Sequence, residues 1–525
     1  MRIAPEPFIA LALTCSCVFL PTVVGAQTET SFVRGDANHD GTLSITDAIV
    51  IVGHLFGGEY HDCHDAVDAD DDGQRKLTDA IHVVWHLFVG GAPPPMPYPL
   101  CGVDPTPDDL GCARGGSCDE QLTGSFIVDV SSSQFTIYTD PEDPETRVAY
   151  GGFSGLCPVP GDSTGKLFYT VTDRGPGGDY EDNGRFVIKP DFNPCIVKLE
   201  ITGAAGARIV EVLPLTKPDG NLVTGIPSPC VEHEVPLVDL YLTDLAGDPD
   251  GLDPEGITIG EDGNFWICDE FWPSVCKVAP DGTILFRLVP EGTLCGGEAI
   301  PTFDILPRIY RQRKVNKGFE GITIAPGGLI YVALQRPLHN PFSDTSRNIR
   351  ILEIDPRTLA LDGDPRVTVR QFLYVTEENS KQRKVYIGDI CAVDSSRLLV
   401  AERRTDAVFL IDLSTATDIT DLEDANGHLL EDPDVRVEQL SSSDLANHGI
   451  QVAEKSTLVD AVTDIDPFLG KLEGMTLTGT TLVLSQDNDF DINDEFLDRS
   501  TVPATIALQG PTNDSRLVLL PVVDL

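Results

Sequence analysis

Residues 253–270 read DPEGITIGEDGNFWICDE. The same grammar returns as GFEGITIAPGGLIYVALQR at 318–336 and as KLEGMTLTGTTLVLSQDND at 471–489. Each copy has Glu-Gly, a short apolar run, a tight turn, a second apolar run and then a polar cluster. Self-similarity of this kind marks a repeat architecture.

From about residue 122 onward, apolar runs of 5–8 residues alternate with Gly, Pro and Asp turns, and helical periodicity is nearly absent. That is an all-β pattern. The clearest unit, EGITIGE, NFWICDE, SVCKVAP and TILFRLVP, predicts four strands within 254–290, with Asp-Gly turns between them. Comparable units start at GFSGLCPV, at the Glu-Gly of 320, at IGDICAV and at the Glu-Gly of 473. Tandem four-stranded units are the signature of a β-propeller. Five blades are legible; with 124–140 and the final RLVLLPVVDL closing the ring, the reading favours six blades, with seven possible and a β-sandwich as the alternative.

Propeller geometry gives the repeated words a place. The Glu opens the innermost strand of a blade, and the polar cluster ends the second strand. Antiparallel pairing puts both at one end of the sheet, the mouth of the ring. Glu255 with Asp269 and Glu270, Glu320 with Gln335 and Arg336, and Glu473 with Asp487, Asn488 and Asp489 are therefore expected to converge there. Asp389 with Glu402, Arg403 and Arg404, and Ser154 with Asp173 and Arg174, are expected beside them. So many carboxylates repel one another unless a cation or the arginines compensate. An all-oxygen ring suits calcium, and Arg174, Arg336 and Arg403 suit an anionic substrate.

The 525-residue chain carries 37 basic and 83 acidic residues, a formal charge of −46. That argues against nucleic acid as a partner, because phosphate binding needs clustered cations. Residues 1–26 read as a secretory signal, with the apolar run FIALALTCSCVFL and a small-residue cleavage site before Gln27. No later stretch approaches the roughly 20 apolar residues of a membrane span, so the mature chain is expected to be exported, with no span. Export makes disulfides the default for its cysteines. Cys268 with Cys276, Cys112 with Cys118, and Cys63 with Cys101 are plausible pairs by spacing, and the odd count leaves one thiol over.

Residues 32–90 hold two 12-residue loops. DANHDGTLSITD places Asp36, Asn38, Asp40, Thr42 and Asp47 at positions 1, 3, 5, 7 and 12, and DADDDGQRKLTD places Asp68, Asp70, Asp72, Gln74 and Asp79 there. Both carry Gly at position 6, where a calcium loop turns sharply. Each runs into an apolar helix ending in Gly-Gly. This duplicated loop-plus-helix resembles a dockerin type I module, including Asp at position 12. The resemblance implies two calcium ions and a cohesin-like partner for the paired helices. Arg75 stands at position 8 of the second loop, where the family has an apolar residue. Residues 91–121, rich in Pro, Gly and Cys, read as a linker.

Residues 122–525 resemble the exported phytase-like, or esterase-like activity of phytase, family. The words that carry the match are GGFSGL with TDRG, DPEGIT with WICDE, GFEGIT with ALQRP, and KLEGMTL with DND. That resemblance implies a phosphate-ester or carboxyl-ester hydrolase acting on a small anionic ester. A similar logic operates in calcium lactonase propellers of the gluconolactonase and paraoxonase kind. By that analogy Glu255, Glu320, Glu473, Asp487 and Asn488 are metal ligands, Arg174, Arg336 and Arg403 hold substrate charge, and Asp173 or Asp269 is the general base. The alternative is a non-catalytic extracellular binding or scaffold propeller.

Overall fold

A computed structural model describes residues 32–522 apart from 40–42, 59, 99–103, 107, 109, 114–125, 132–134, 142, 163, 181–183, 203–205, 231–235, 340–344, 379–383, 406, 461–470 and 510–514. The signal segment and two expected loop ligands, Asp40 and Thr42, lie outside the described residues. The chain divides into two compact units, Met1–Asp119 and Glu120–Leu525.

In the larger unit the predicted runs form strands where the alternation placed them. Pro254–Ile259, Phe265–Asp269, Ser274–Val278 and Ile284–Pro290 make one antiparallel meander, to which Thr302–Leu306 adds in parallel. Phe319–Ile324, Ile330–Leu334, Asn348–Ala360 and Arg366–Val375 make the next, and Tyr386–Ala392, Arg397–Arg403, Ala407–Asp412 and Glu454–Asp460 a third. An eight-stranded sheet contains two more four-stranded units, joined edge to edge by a short parallel pairing. One is Phe153–Pro158, Leu167–Thr172, Cys195–Ile201 and Ala207–Pro214. The other is Leu472–Thr478, Thr481–Gln486, Arg516–Pro521 and, returning from the front of the unit, Phe126–Ser131. The segments expected to close the ring thus do so, by completing a blade together.

Glycine brings the innermost strands together. A Cβ on Gly155 would stand 2.7 Å from the Gly256 Cα, one on Gly256 2.9 Å from the Ile322 nitrogen, and one on Gly321 2.7 Å from the Ile390 nitrogen. A Cβ on Gly388 would lie 2.0 Å from the Leu472 oxygen, and one on Gly474 3.0 Å from the Gly155 oxygen, which completes the circle. Among the described residues the cycle has five members, where the repeat reading favoured six. The surplus strands are hairpins inserted between blade strands. Gly177–Tyr180, Gly184–Val187 and Leu237–Val238 form one small sheet, while Thr136–Thr139 pairs Arg147–Ala149 and Ile492–Asp498 pairs Thr505–Leu508. These pack on one another through Val148, Phe186, Phe192, Phe490 and Ile506. Between blades the core is aliphatic and aromatic, with Trp266, Phe319, Ile322 and Ile390 in one continuous cluster.

All three cysteine pairings expected from spacing are corrected. Cys63 pairs with Cys112, and a second disulfide joins Cys230 to Cys295, while Cys268 and Cys276 are buried thiols. Their strands are adjacent, but Cys268 faces Val275 and Cys276 faces Ile267. Offset by one register step, the two side chains leave opposite faces of the sheet and cannot meet.

In the smaller unit, Ile45–Val52 and Leu77–Val89 are the helices expected after the loops. Asp47 and Asp79 sit in their first turns and accept equivalent backbone bonds. Asp47 takes the N–H groups of Asn38 at 3.0 Å and Ser44 at 2.7 Å; Asp79 takes those of Asp70 at 3.3 Å and Lys76 at 2.6 Å. Gly73 has φ +73°, the left-handed turn that position 6 requires.

Adding one methyl at the axis forces backbone apart in two blades. Gly256→Ala should therefore cost about 3 kcal/mol, read as a lowered urea midpoint at unchanged slope; an unchanged midpoint would show that the axis is loosely packed.

Candidate functional site

The first strand of every blade carries a register irregularity at the same place. It falls between Pro254 and Gly256, Phe319 and Gly321, Ile387 and Asp389, Leu472 and Gly474, and Ser154 and Cys157. An extra residue there bends the strand and re-aims a side chain. Glu255, Glu320 and Glu473 occupy the extra position and are buried, between 1% and 8% exposed.

In the Tyr386–Ala392 strand the order is Gly388-Asp389, so glycine takes the glutamate's place and Asp389 the glycine's. Asp389 pairs with Ala401 as Gly321 does with Ala333. Its carboxylate accepts the N–H groups of Ile390 at 2.7 Å and Met475 at 2.8 Å, tying two blades at the axis. The expectation that Asp389 joins the acids of the mouth is thereby corrected. Glu402 also leaves that set. It accepts from Tyr374 at 2.6 Å, from the Glu377 N–H at 3.0 Å and from Thr405 at 2.9 Å, and it pairs with Lys455.

The remaining groups converge. The Glu320 Oε1 accepts from Gln335 at 2.6 Å and faces Arg403 at 3.0 Å, while its Oε2 is buried with no hydrogen-bond donor among the described residues. Arg403 also pairs with Glu473, which lies 3.3 Å from Lys471. Lys471 contacts Asp487 and Asp489 as well. Arg174 is gripped by Asp253, by Asn316 and by Glu270 at 3.3 Å, and its guanidinium lies 4.6 Å from the Phe271 ring centre. Lys317 is 3.4 Å from Glu270. Lys317, Arg336, Arg403 and Arg404 surround one aromatic ring, that of Tyr386, at 4.4–5.8 Å. One oxygen each of Asp173, Asp487 and Asp489 lies within 4.8 Å of the others.

Two proposed ligands or bases are turned elsewhere. The Asp269 carboxylate is spent on the Asp253 N–H at 3.1 Å, the Phe271 N–H at 3.0 Å and the Ser274 hydroxyl at 2.9 Å. The Asn488 side-chain oxygen accepts from Gly152 at 3.3 Å and Phe490 at 3.2 Å. Both brace the exits of second strands. The acid that sequence reasoning missed as a mouth residue is Asp253, two positions before Glu255.

Burial sets the titration behaviour. Burial, with Glu320 and Asp253 nearby, holds Glu255 well above the usual carboxylate range; Glu320 is raised by burial and by Glu270. Burial and the charges of Asp253 and Asp487 do the same to Asp173. Burial lifts Asp269 to about 7. Burial works against the charge of Arg403 and Lys471, but the surrounding acids outweigh it and keep both protonated. The carboxylates outnumber the cations, so this mouth attracts a further positive charge, a proton or a metal ion.

A five-membered ring of four-stranded sheets with an acid-lined, cation-rimmed mouth is a β-propeller built around one polar centre. The chain belongs to the phytase-like family, described as esterase-like activity of phytase, whose model matches residues 148–490. An uncharacterized secreted protein of Arthroderma benhamiae is 31% identical over 193 residues, 31% of this chain and 36% of that protein. The match thus spans about a third of that relative's length. Among solved structures, the PQQ-bound aldose sugar dehydrogenase of Streptomyces coelicolor is 12% identical, covering 77% of this chain and 92% of that one, with a TM-score of 0.29. Virginiamycin B lyase of Staphylococcus aureus is 12% identical over 71% of this chain and 96% of that one, with a TM-score of 0.27. At such scores neither bears on the present fold, which rests on its own sheet topology.

Each carboxyl raised by burial binds its proton more tightly folded than unfolded, so its contribution to stability shrinks as pH rises from about 4 toward the folded pKa. For Asp269, raised from 3.8 to about 7, the loss is on the order of 4 kcal/mol. Calorimetry in chelator should show the melting temperature falling from pH 5 to pH 8; a rise across that interval would contradict the buried, mutually repelling acids.

Proposed function

We propose that the propeller is a calcium-dependent hydrolase of phosphate or carboxylic esters, exported and joined to a calcium-loaded docking module. One observation carries the hydrolytic reading: acids from four blades meet at a single mouth in excess over their cations. Family membership, a relative described as secreted and the described disulfides agree with it. No helix among the described residues is long and apolar enough to cross a membrane.

Glu255, Glu320, Glu473 and Asp487 are the ligands we assign, with Asp173 and Asp489 flanking them. The undonated Oε2 of Glu320 is the oxygen best suited to a cation. Asn488, committed to two backbone N–H groups, is left out of this set. Calcium bound by these carboxylates would supply an electrophile for the ester oxygen. Asp173, whose Oδ1 accepts the Gly175 N–H at 2.8 Å, is the general base we assign, its proton affinity raised by burial and by Asp253 and Asp487. Asp269 has no comparable oxygen to spare and is assigned a bracing role. Arg336 and Arg403 face the substrate's charge, while Arg174, gripped by three partners, is a rigid positive wall.

A non-catalytic binding propeller is the second reading, favoured by Arg403 and Lys471, which offset part of the acid charge with no metal. Glu320→Gln separates the two readings. Calcium-dependent turnover of aryl phosphates, aryl acetates or lactones should fall at least tenfold with the melting temperature kept within a few degrees; undiminished turnover would remove Glu320 from the metal site, and no turnover with calcium in the unmutated protein would favour the binding role.

For the smaller unit we propose two bound calcium ions and a cohesin-like partner. Asp68, Asp70 and Asp72 each bring an oxygen within 4.8 Å of the others, and burial raises Asp79 to about 7, as expected of carboxyls gathered for a cation. Arg75 turns from the loop to His54 at 3.1 Å. Ile49, Trp85 and Phe88 on the two helices, and Phe56 in the turn Gly53–Gly57 that continues the first, stand 57–73% exposed, an apolar face of the kind that docks a partner. Trp85→Asp should abolish capture of a cohesin domain while calorimetry counts as many calcium ions as in the unmutated chain; retained capture would remove the helices from the interface.

A further inference from the structure

Described parts of the 91–121 stretch, read from sequence as a linker, are anchored to the smaller unit. The Arg34 N–H donates to the Pro97 carbonyl at 2.7 Å, and its Nε to that of Met96 at 3.0 Å. Cys112 is bonded to Cys63, the His64 N–H donates to the Gly111 carbonyl at 2.9 Å, and the Thr106 hydroxyl donates to Asp71 at 2.7 Å. These ties bring Asp104 and Asp108 up to Asp65, which lies in the short helix His64–Val67. One oxygen of each of these three carboxylates lies within 4.8 Å of the others. All three stand outside the two 12-residue loops.

Acids gathered at a surface are common and need no ion. Asp65 differs in what it lacks. It is 5% exposed, and its Oδ1 is buried with no hydrogen-bond donor among the described residues. Its Oδ2 contacts the Cys112 sulfur at 3.8 Å, and a sulfur in a disulfide has no proton to give. The neighbouring cation is engaged elsewhere: Arg34 donates to the main-chain carbonyls of Asp65 at 3.4 Å and Asp68 at 3.1 Å, and it pairs with Asp71 at 3.0 Å and Asp104 at 2.6 Å. Asp104 commits Oδ1 to Arg34 and to the Thr106 N–H at 3.1 Å, and Asp108 commits Oδ1 to the Leu110 N–H at 2.6 Å. The Oδ2 of each has no donor among the described residues. A buried carboxylate without donors bears its full desolvation cost, and burial with Asp104 and Asp108 nearby raises Asp65 to about 6. Water could donate to Asp65 but would leave three facing acids unbalanced, whereas a hard dication that takes oxygen ligands settles both. With no nitrogen or sulfur in the trio, calcium suits it better than zinc or copper.

We propose that Asp65, Asp104 and Asp108 bind one calcium ion of their own, distinct from any ion in the two loops, and that this ion clamps Asp104 and Asp108 to the helix His64–Val67. Equilibrium dialysis of the chelator-stripped full mature chain tests it, with bound metal counted by atomic emission as free calcium is raised from about 0.01 to about 10 mM, a range that brackets the affinities of extracellular calcium modules. Asp65→Asn and, independently, the exposed Asp108→Asn should each weaken one calcium ion at least tenfold. Asp70→Asn, in the second loop, separates this ion from a loop ion. The double variant Asp70→Asn with Asp108→Asn should hold one tight calcium fewer than Asp70→Asn alone, whether or not the loop itself takes one. An unchanged calcium isotherm in either Asp65→Asn or Asp108→Asn, or a double variant that binds as Asp70→Asn alone does, would overturn the assignment.

Discussion

The constraint on which the larger unit depends is steric: five strands approach one axis closely enough that a side chain has no room. Glycine at 155, 256, 321, 388 and 474 allows it. The same approach forces the residue before three of those glycines outward in a bulge, and that residue is glutamate. The packing of the ring and the charge of its mouth are thus two results of one backbone event. A dipeptide that looks like punctuation supplies both the hole and the carboxylate.

Charge then has to be settled in a dry place. Acids at the mouth are nearly all buried while the cations reaching them keep some exposure, 13% for Arg174, 17% for Arg403 and 30% for Lys471. The cations therefore form a lid of charge between the acids and water. Removing one partner of a buried pair costs more than the pair contributes, because the other charge is left stranded. Arg350 shows the structural version of the same solution. Fully buried, it pairs with Glu423 at 2.6 Å and Glu438 at 2.7 Å and ties the segment between Ala407–Asp412 and Glu454–Asp460 to the neighbouring blade.

Strand positions, the repeat and the meeting of Glu255, Glu320 and Glu473 were legible because period-two alternation and Glu-Gly spacing are local signals. Blade number was less so. Inserted hairpins such as Gly177–Tyr180 with Gly184–Val187 use the same residue types as blades and carry no mark of being off the ring. The reversed order at Gly388-Asp389 hid an exchange of roles that only register reveals. The local hydrogen bonds of Asp269 and Asn488 were not legible, because a polar residue ending a strand can aim at the axis or fold back onto its own turn, and the alternation of side chains is the same in both cases. The cysteines failed for a geometric reason: nearness along the chain says nothing about which face of the sheet a thiol leaves.

The pairing of Phe126–Ser131 with Arg516–Pro521 joins residues nearly four hundred positions apart, Asp129 meeting Arg516. A chain emerging from a ribosome or a translocon makes the first of these strands long before the last exists. Until synthesis ends, that early edge stays without its neighbour, and the ring is an open arc. Closing so long a loop is an entropic debt met in a single late step. The ring therefore closes only when its last strand is made, and the Phe126–Ser131 edge waits for its neighbour while everything between them is synthesised.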